Sequence, residues 1–148
     1  MKRFVWRLQR VLDIRTKEEQ KARAELLKLT EKLAETQSEL LTWRKMLEEI
    51  INGLAVGNPK ERLGRQEFFL RYSAASDEQI KKLENRVKEL ESKQREKIAE
   101  VLKLRRFKEG LGKLRVEAKI DFTKEQEKLE QQQLDEGATV LFVRKTKS

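Results

Sequence analysis

LLKLTEKLAETQSELLTWRKMLEEI, residues 26–50, carries apolar side chains at alternating steps of three and four. Leu26, Leu29, Leu33, Leu40, Trp43, Leu47 and Ile50 follow the count, and Thr36 is the one polar member of the run. Counted outward, the same steps take in Leu8, Leu12, Arg15, Glu19, Ala22 and Leu54, so that eleven of fourteen positions are apolar and the phase never slips. A strict seven-residue repeat of this length predicts a coiled-coil seam, because an amphipathic helix on a globule drifts toward a 3.6-residue period.

The seam stops at INGLAVGNPKERLG, residues 51–64. Gly53 and Gly57 can end a helix. Asn58 can cap a new one, with Pro59 at its first position and Glu61 three residues after the cap. A second such signal, Ser76 with Gln79, leaves open a separate short helix over 59–75. A second seam then runs through Phe69, Ser73, Ser76, Ile80, Leu83, Val87, Leu90, Gln94, Lys97, Val101, Leu104, Lys108, Leu111, Arg115, Ala118, Phe122, Glu125 and Leu129. It is more polar than the first, and Ile98 and Leu102 just beside it allow a stutter near Gln94. Gly110 and Gly112 either permit a bend or close approach, or are tolerated.

Two seams joined by a short connection predict an all-α fold, a long antiparallel two-helix coiled-coil hairpin. The expected single domain, 1–148, has helix one over about 3–54, a tip loop over about 55–60, helix two over about 60–136 and a C-terminal tail at 137–148. Pairing Leu54 with Phe69 sets Leu8 beside Arg115 and Arg15 beside Lys108, a like-charge pair that weakens the seam. Phe122 and Leu129 are expected as exposed seam in an overhang.

Composition agrees: 41% of the residues are charged and 6% aromatic, with a single proline in 148 residues. A formal charge of +9 favours acidic partners. With no Cys and no His, disulfides, thiolate nucleophiles and the usual zinc sites are excluded. There is no glycine-rich phosphate loop and no nucleophile–base pair, so no enzyme is expected. The start, MKRFVWRLQR, has no apolar core of a signal peptide, and no run approaches the ~20 apolar residues of a membrane span. A cytoplasmic protein is expected.

FVWRLQRVLDIR, residues 4–15, has more apolar surface than one seam uses. Val5, Leu8, Leu12 and Arg15 lie on the seam. Phe4, Val11 and Ile14 form a second stripe, with Arg7 in line. Either the TVLFV segment near the C-terminus covers it or another protein docks on it. Residues 1–28 carry nine Lys/Arg against four Asp/Glu, and so do residues 95–119. The hairpin sets these runs together as a positive collar that includes Arg7, Arg10, Arg105, Arg106 and Lys108. At the tip, Trp43, Leu47 and Phe69 suit core filling, whereas Met46, Phe68 and Tyr72 fall off the seam and are interaction candidates.

The opening FxxRLQxVLDIR, here Phe4, Arg7, Leu8, Gln9, Val11, Leu12, Asp13, Ile14 and Arg15, resembles that of the FliJ family of the bacterial flagellar type III export apparatus. The segment Leu134, Asp135, Glu136 resembles that family's C-terminal region. The resemblance implies a coiled coil similar to the gamma subunit of rotary ATPases, without cofactor, acting as a non-enzymatic stalk and adaptor. It implies three partners: the hexameric export ATPase, the membrane export-gate protein and export chaperones. It assigns Phe4, Arg7, Leu8, Gln9, Val11, Leu12, Arg15, Asp135 and Glu136 to the ATPase, and the tip group Met46, Phe68 and Tyr72 to gate or chaperone. It places a monomer peripherally at the inner membrane's cytoplasmic face. The equivalent stalk of a virulence secretion system is an alternative. A basic arm binding nucleic acid is another, although no recognition motif supports it and no nucleic acid is expected. Membrane attachment through the basic N-terminal helix is a third.

Overall fold

The computed structural model describes residues 2–147, an all-α helical hairpin of two long helices with no strand among the described residues. Helix α1 is Gln9–Gly53, 45 residues, and α2 is Pro59–Lys147, 89 residues. All fourteen positions of the first seam, Leu8 to Leu54, are buried or half-buried. On α2 the covered positions keep the expected phase from Phe69 to Phe122. No stutter occurs: Ile98 and Leu102 remain exposed while Gln94 and Lys97 hold the seam. The two polar members are tolerated because each finds a partner. Gln94 Nε2 donates to Thr30 Oγ1 at 3.1 Å, and Lys97 Nζ donates to Glu25 at 2.7 Å and Glu100 at 2.9 Å.

The contacts group into two compact units, Gln20–Leu102, and Met1–Glu19 with Lys103–Ser148. In the first, Ala22, Leu33, Leu40, Leu83, Leu90 and Val101 are the buried apolar side chains. Burying a leucine is worth about 1.5–3 kcal/mol, so this row holds the two helices of the unit together. Its turn is built as the restart signal predicts. Asn58 Oδ1 accepts from the Glu61 amide at 2.9 Å, and Glu61 Oε2 faces the Asn58 amide at 3.4 Å, a reciprocal capping box. Gly57 turns the chain at φ +103°, a region that favours glycine. Arg65 ties the carbonyls of Gly53 and Val56, and Arg62 that of Gly57, so the end of α1 is satisfied by side chains of α2.

Ser76 caps nothing. It lies inside α2, fully buried at a seam position, its hydroxyl without a hydrogen-bond partner. Residues 59–75 therefore continue into the rest of α2. The hydrogen bond of Lys97 holds the Glu25 carboxyl below its ordinary range, and bonds to Glu25 and then Glu100 hold the Lys97 ammonium above its own.

In the second unit both expected helix ends shift. Helix α1 starts at Gln9 rather than near residue 3. Its first turn has no acidic side chain, and Arg7 and Arg10 place positive charge at the positive end of the helix dipole. No Ser, Thr, Asp or Asn precedes it as a cap. At the other end α2 does not stop for a tail at 137 but runs to Lys147. Gly137 costs the helix about 1 kcal/mol relative to alanine. Arg144 and Lys145 complement the negative end of the dipole. Gly110 and Gly112 are likewise carried within α2, and a Cβ at either would meet nothing within 4 Å.

Candidate interaction surface

The N-terminal residues assemble around one ring pair in the unit Met1–Glu19 with Lys103–Ser148. Because residues 2–6 are not helical, the chain turns Phe4 inward, with its ring centroid 5.4 Å from that of Phe122 and the planes at 56°. This reverses the expected order: Val5, assigned to the seam, is 82% exposed, and Phe4, assigned to the second stripe, is half-buried. Phe122 is consequently covered rather than exposed seam, while Leu129 is exposed as expected. The Arg115 guanidinium lies 5.7 Å over the Phe4 ring and donates to Gln9 Oε1 at 2.8 Å. Gln9 in turn donates to Asp13 at 3.0 Å. Leu8 and Leu12 are half-buried on the seam, so they hold the helices together and present only their edges.

Four residues of the N-terminal motif face outward. Arg7 and Asp13 are exposed, as are Val11 and Ile14 of the second stripe. The TVLFV segment does not cover them. It is part of α2, and Val140, Leu141, Phe142 and Val143 are themselves exposed. Asp135 and Glu136 are also exposed on α2, Asp135 accepting from Gln131 at 3.3 Å. No contact joins Asp135 or Glu136 to the N-terminal motif among the described residues.

Arg15 and Lys108 do not repel one another across the seam. Arg15 pairs with Glu18 at 2.9 Å and stacks over the Phe107 ring at 4.7 Å. Lys108 reaches Glu19 at 3.1 Å, and Arg105 approaches the same carboxylate at 3.7 Å. Glu19 is buried and so neutralises part of the expected collar from inside the seam. The outward cations, Arg7, Arg10 and Arg106, keep the face positive. Sequence reading overlooked Phe107 and Leu114 on α2, both exposed. The signal was present, since each immediately precedes a seam position as Val11 does.

In the unit Gln20–Leu102 two of the three candidates of the tip, Phe68 and Tyr72, stack in one cluster with Trp43. Tyr72 lies between two rings, 6.1 Å from Trp43 at 16° and 5.7 Å from Phe68 at 10°. Phe68 and Met46 are exposed, and Trp43 and Tyr72 are half-buried. A stacked set with one open ring face suits a further apolar or cationic contact.

Among the described residues no helix is long and apolar enough to cross a membrane. The model of one protein family, described as flagellar FliJ protein, matches residues 3–147. No curated protein and no solved structure matches the chain.

Proposed function

Since the chain belongs to the FliJ family, whose members take part in flagellar protein export, we propose that it is a non-enzymatic stalk and adaptor that binds and promotes the hexameric export ATPase. The observation that carries this reading is the outward face of the N-terminal motif. Val11 and Ile14 leave an apolar stripe uncovered beside Arg7 and Arg10, on a helix whose other apolar face is already occupied. An uncovered apolar strip with cations along its rim suits a protein partner with acidic surroundings. Phe4, Leu8, Gln9, Leu12 and Arg15 support that face from within, and Asp135 and Glu136 offer a second, acidic contact. Met46, Phe68 and Tyr72 supply the contact for the export gate or a chaperone. The chain acts as a monomer, held at the membrane's cytoplasmic face by its partners. It works by binding alone, shifting the assembly equilibrium of the ATPase through differential affinity for the assembled form.

The test uses Arg7→Glu and Val11→Asp, both exposed positions, in the full-length chain with the purified flagellar export ATPase. Stimulation of ATP hydrolysis should fall at least tenfold in either variant while helix content by circular dichroism stays at the unaltered level. Full stimulation by both variants would remove this face from the reading.

A further inference from the structure

Beside the second stripe of α1 lies an apolar row on α2 that the chain's own packing leaves about half exposed. Val11 and Ile14 are 36% and 47% exposed, and Phe107 and Leu114 are 48% and 49% exposed. The pairs Gln9–Arg115 and Glu19–Lys108 fix the local register and bring residues 11–14 level with residues about 110–116. Val11, Phe107 and Leu114 each sit one residue before a covered position of the same kind, Leu12, Lys108 and Arg115. In an antiparallel pair such flanking positions share one edge of the seam. The stacking of Arg15 on Phe107 crosses between the helices along that edge.

Gly110 belongs to this row, three residues after Phe107 and four before Leu114. Glycine is unfavourable in a helix interior, yet a Cβ here would meet nothing within 4 Å. The chain's own packing gives no reason for it. What a missing Cβ supplies on an open apolar face is close approach of another backbone. Exposed cations rim the row, Arg7 just before α1, Arg10 and Lys17 on it, and Lys103, Arg106 and Lys113 on α2. Of the nearby carboxylates, Asp13 accepts from Gln9 and Glu18 is held by Arg15, while Glu109 adjoins Gly110 in sequence and Glu117 lies a turn beyond Leu114, so the six cations still outnumber the four carboxylates.

We infer that Val11, Ile14, Phe107, Gly110 and Leu114 form a docking groove for an acidic amphipathic helix of a protein partner, with Gly110 the notch where that helix comes closest. The groove accepts the partner's apolar stripe between the two helices, and the cations on either rim meet its carboxylates. The inference rests on the reading of this face as the ATPase contact and extends it onto α2.

The glycines make the test sharp. Gly110→Ala and Gly112→Ala should both raise the melting temperature, because alanine suits a helix and neither new methyl meets an atom. Gly112 lies off the row. Calorimetric titration of the full-length chain uses two probes: the flagellar export ATPase, and a synthetic helix with leucines on one face and glutamates elsewhere. Gly110→Ala should bind both at least fivefold more weakly, Leu114→Glu at least tenfold, and Gly112→Ala like the unaltered chain. Equal binding by the two glycine variants overturns the notch. Failure of the unaltered chain to bind the acidic helix, or equal displacement of that helix by duplex DNA from every variant, overturns the groove. Binding of the helix without binding of the ATPase supports the groove and removes the ATPase reading alone.

Discussion

Glu19 occupies a seam position at 2% exposure, where leucine would pack better. Its carboxylate is met by Lys108 at 3.1 Å and Arg105 at 3.7 Å, whose side chains remain 39% and 45% exposed. That asymmetry sets what substitution does. Removing one member of a buried ion pair usually strands the other charge at a large cost. Here both cations can turn back to water, so Glu19→Leu should leave stability unchanged or raise it by about 1 kcal/mol. Glu19→Gln keeps the shape, loses the charge-assisted bonds and should cost about 1–2 kcal/mol. Urea unfolding of the two variants checks the order, and a leucine variant less stable than the glutamine variant would contradict it. What the carboxylate adds is an ionic tie between the two helices that a leucine would not make.

At the scale of the element, the turn and α2 show opposite consequences of the same residue type. Gly57 holds φ +103°, and a Cβ there would come within 2.5 Å of Glu61 Oε2, the oxygen that faces the Asn58 amide. Gly57→Ala should therefore cost about 1–2 kcal/mol, and Asn58→Ala about 1 kcal/mol through the lost cap. Gly64 is inside α2 with open space around it, and Gly64→Ala should add about 1 kcal/mol. Thermal melts that show all three changes with one sign would refute this account of the turn. The seam and the turn were legible in the sequence because they rest on periodicity and on local caps. Leu8 to Leu54 all proved covered, and Asn58 and Glu61 met as their spacing requires. The start of α1 was not legible. The heptad count continues through Val5, but the missing cap and the cations of the first turn end the helix at Gln9, which frees Phe4 to reach Phe122. The polar seam positions were legible as positions and not as partners. Arg15 chose Phe107 and Glu18, and Lys108 chose Glu19, because long side chains reach across several residues of register.

Over the whole molecule, burial is unevenly distributed along the chain, and local stability should follow it. Leu83, Leu90 and Val101 on α2, with Ala22, Leu33 and Leu40 on α1, include most of the fully covered apolar side chains. After Gln126 every described position of α2 is exposed, with side-chain bonds along the helix such as Thr139 to Asp135. A helix without tertiary packing is marginal at this length. Amides of 83–101 should therefore exchange only with global unfolding, and those of 127–147 faster by at least a hundredfold. Trypsin should cut first at Lys128, Arg144 and Lys145, before the far more numerous basic sites between 80 and 108. Equal protection of 127–147 and 83–101 in dilute chain would show the segment to be covered by another copy, and a monomer would then be the wrong functional unit. If the segment is open as the burial pattern requires, adding the export ATPase should slow its exchange, because Asp135 and Glu136 lie within it. Unchanged exchange there, with slowing confined to residues 9–15 and 107–114, would assign docking to the basic groove alone and release the acidic pair from it.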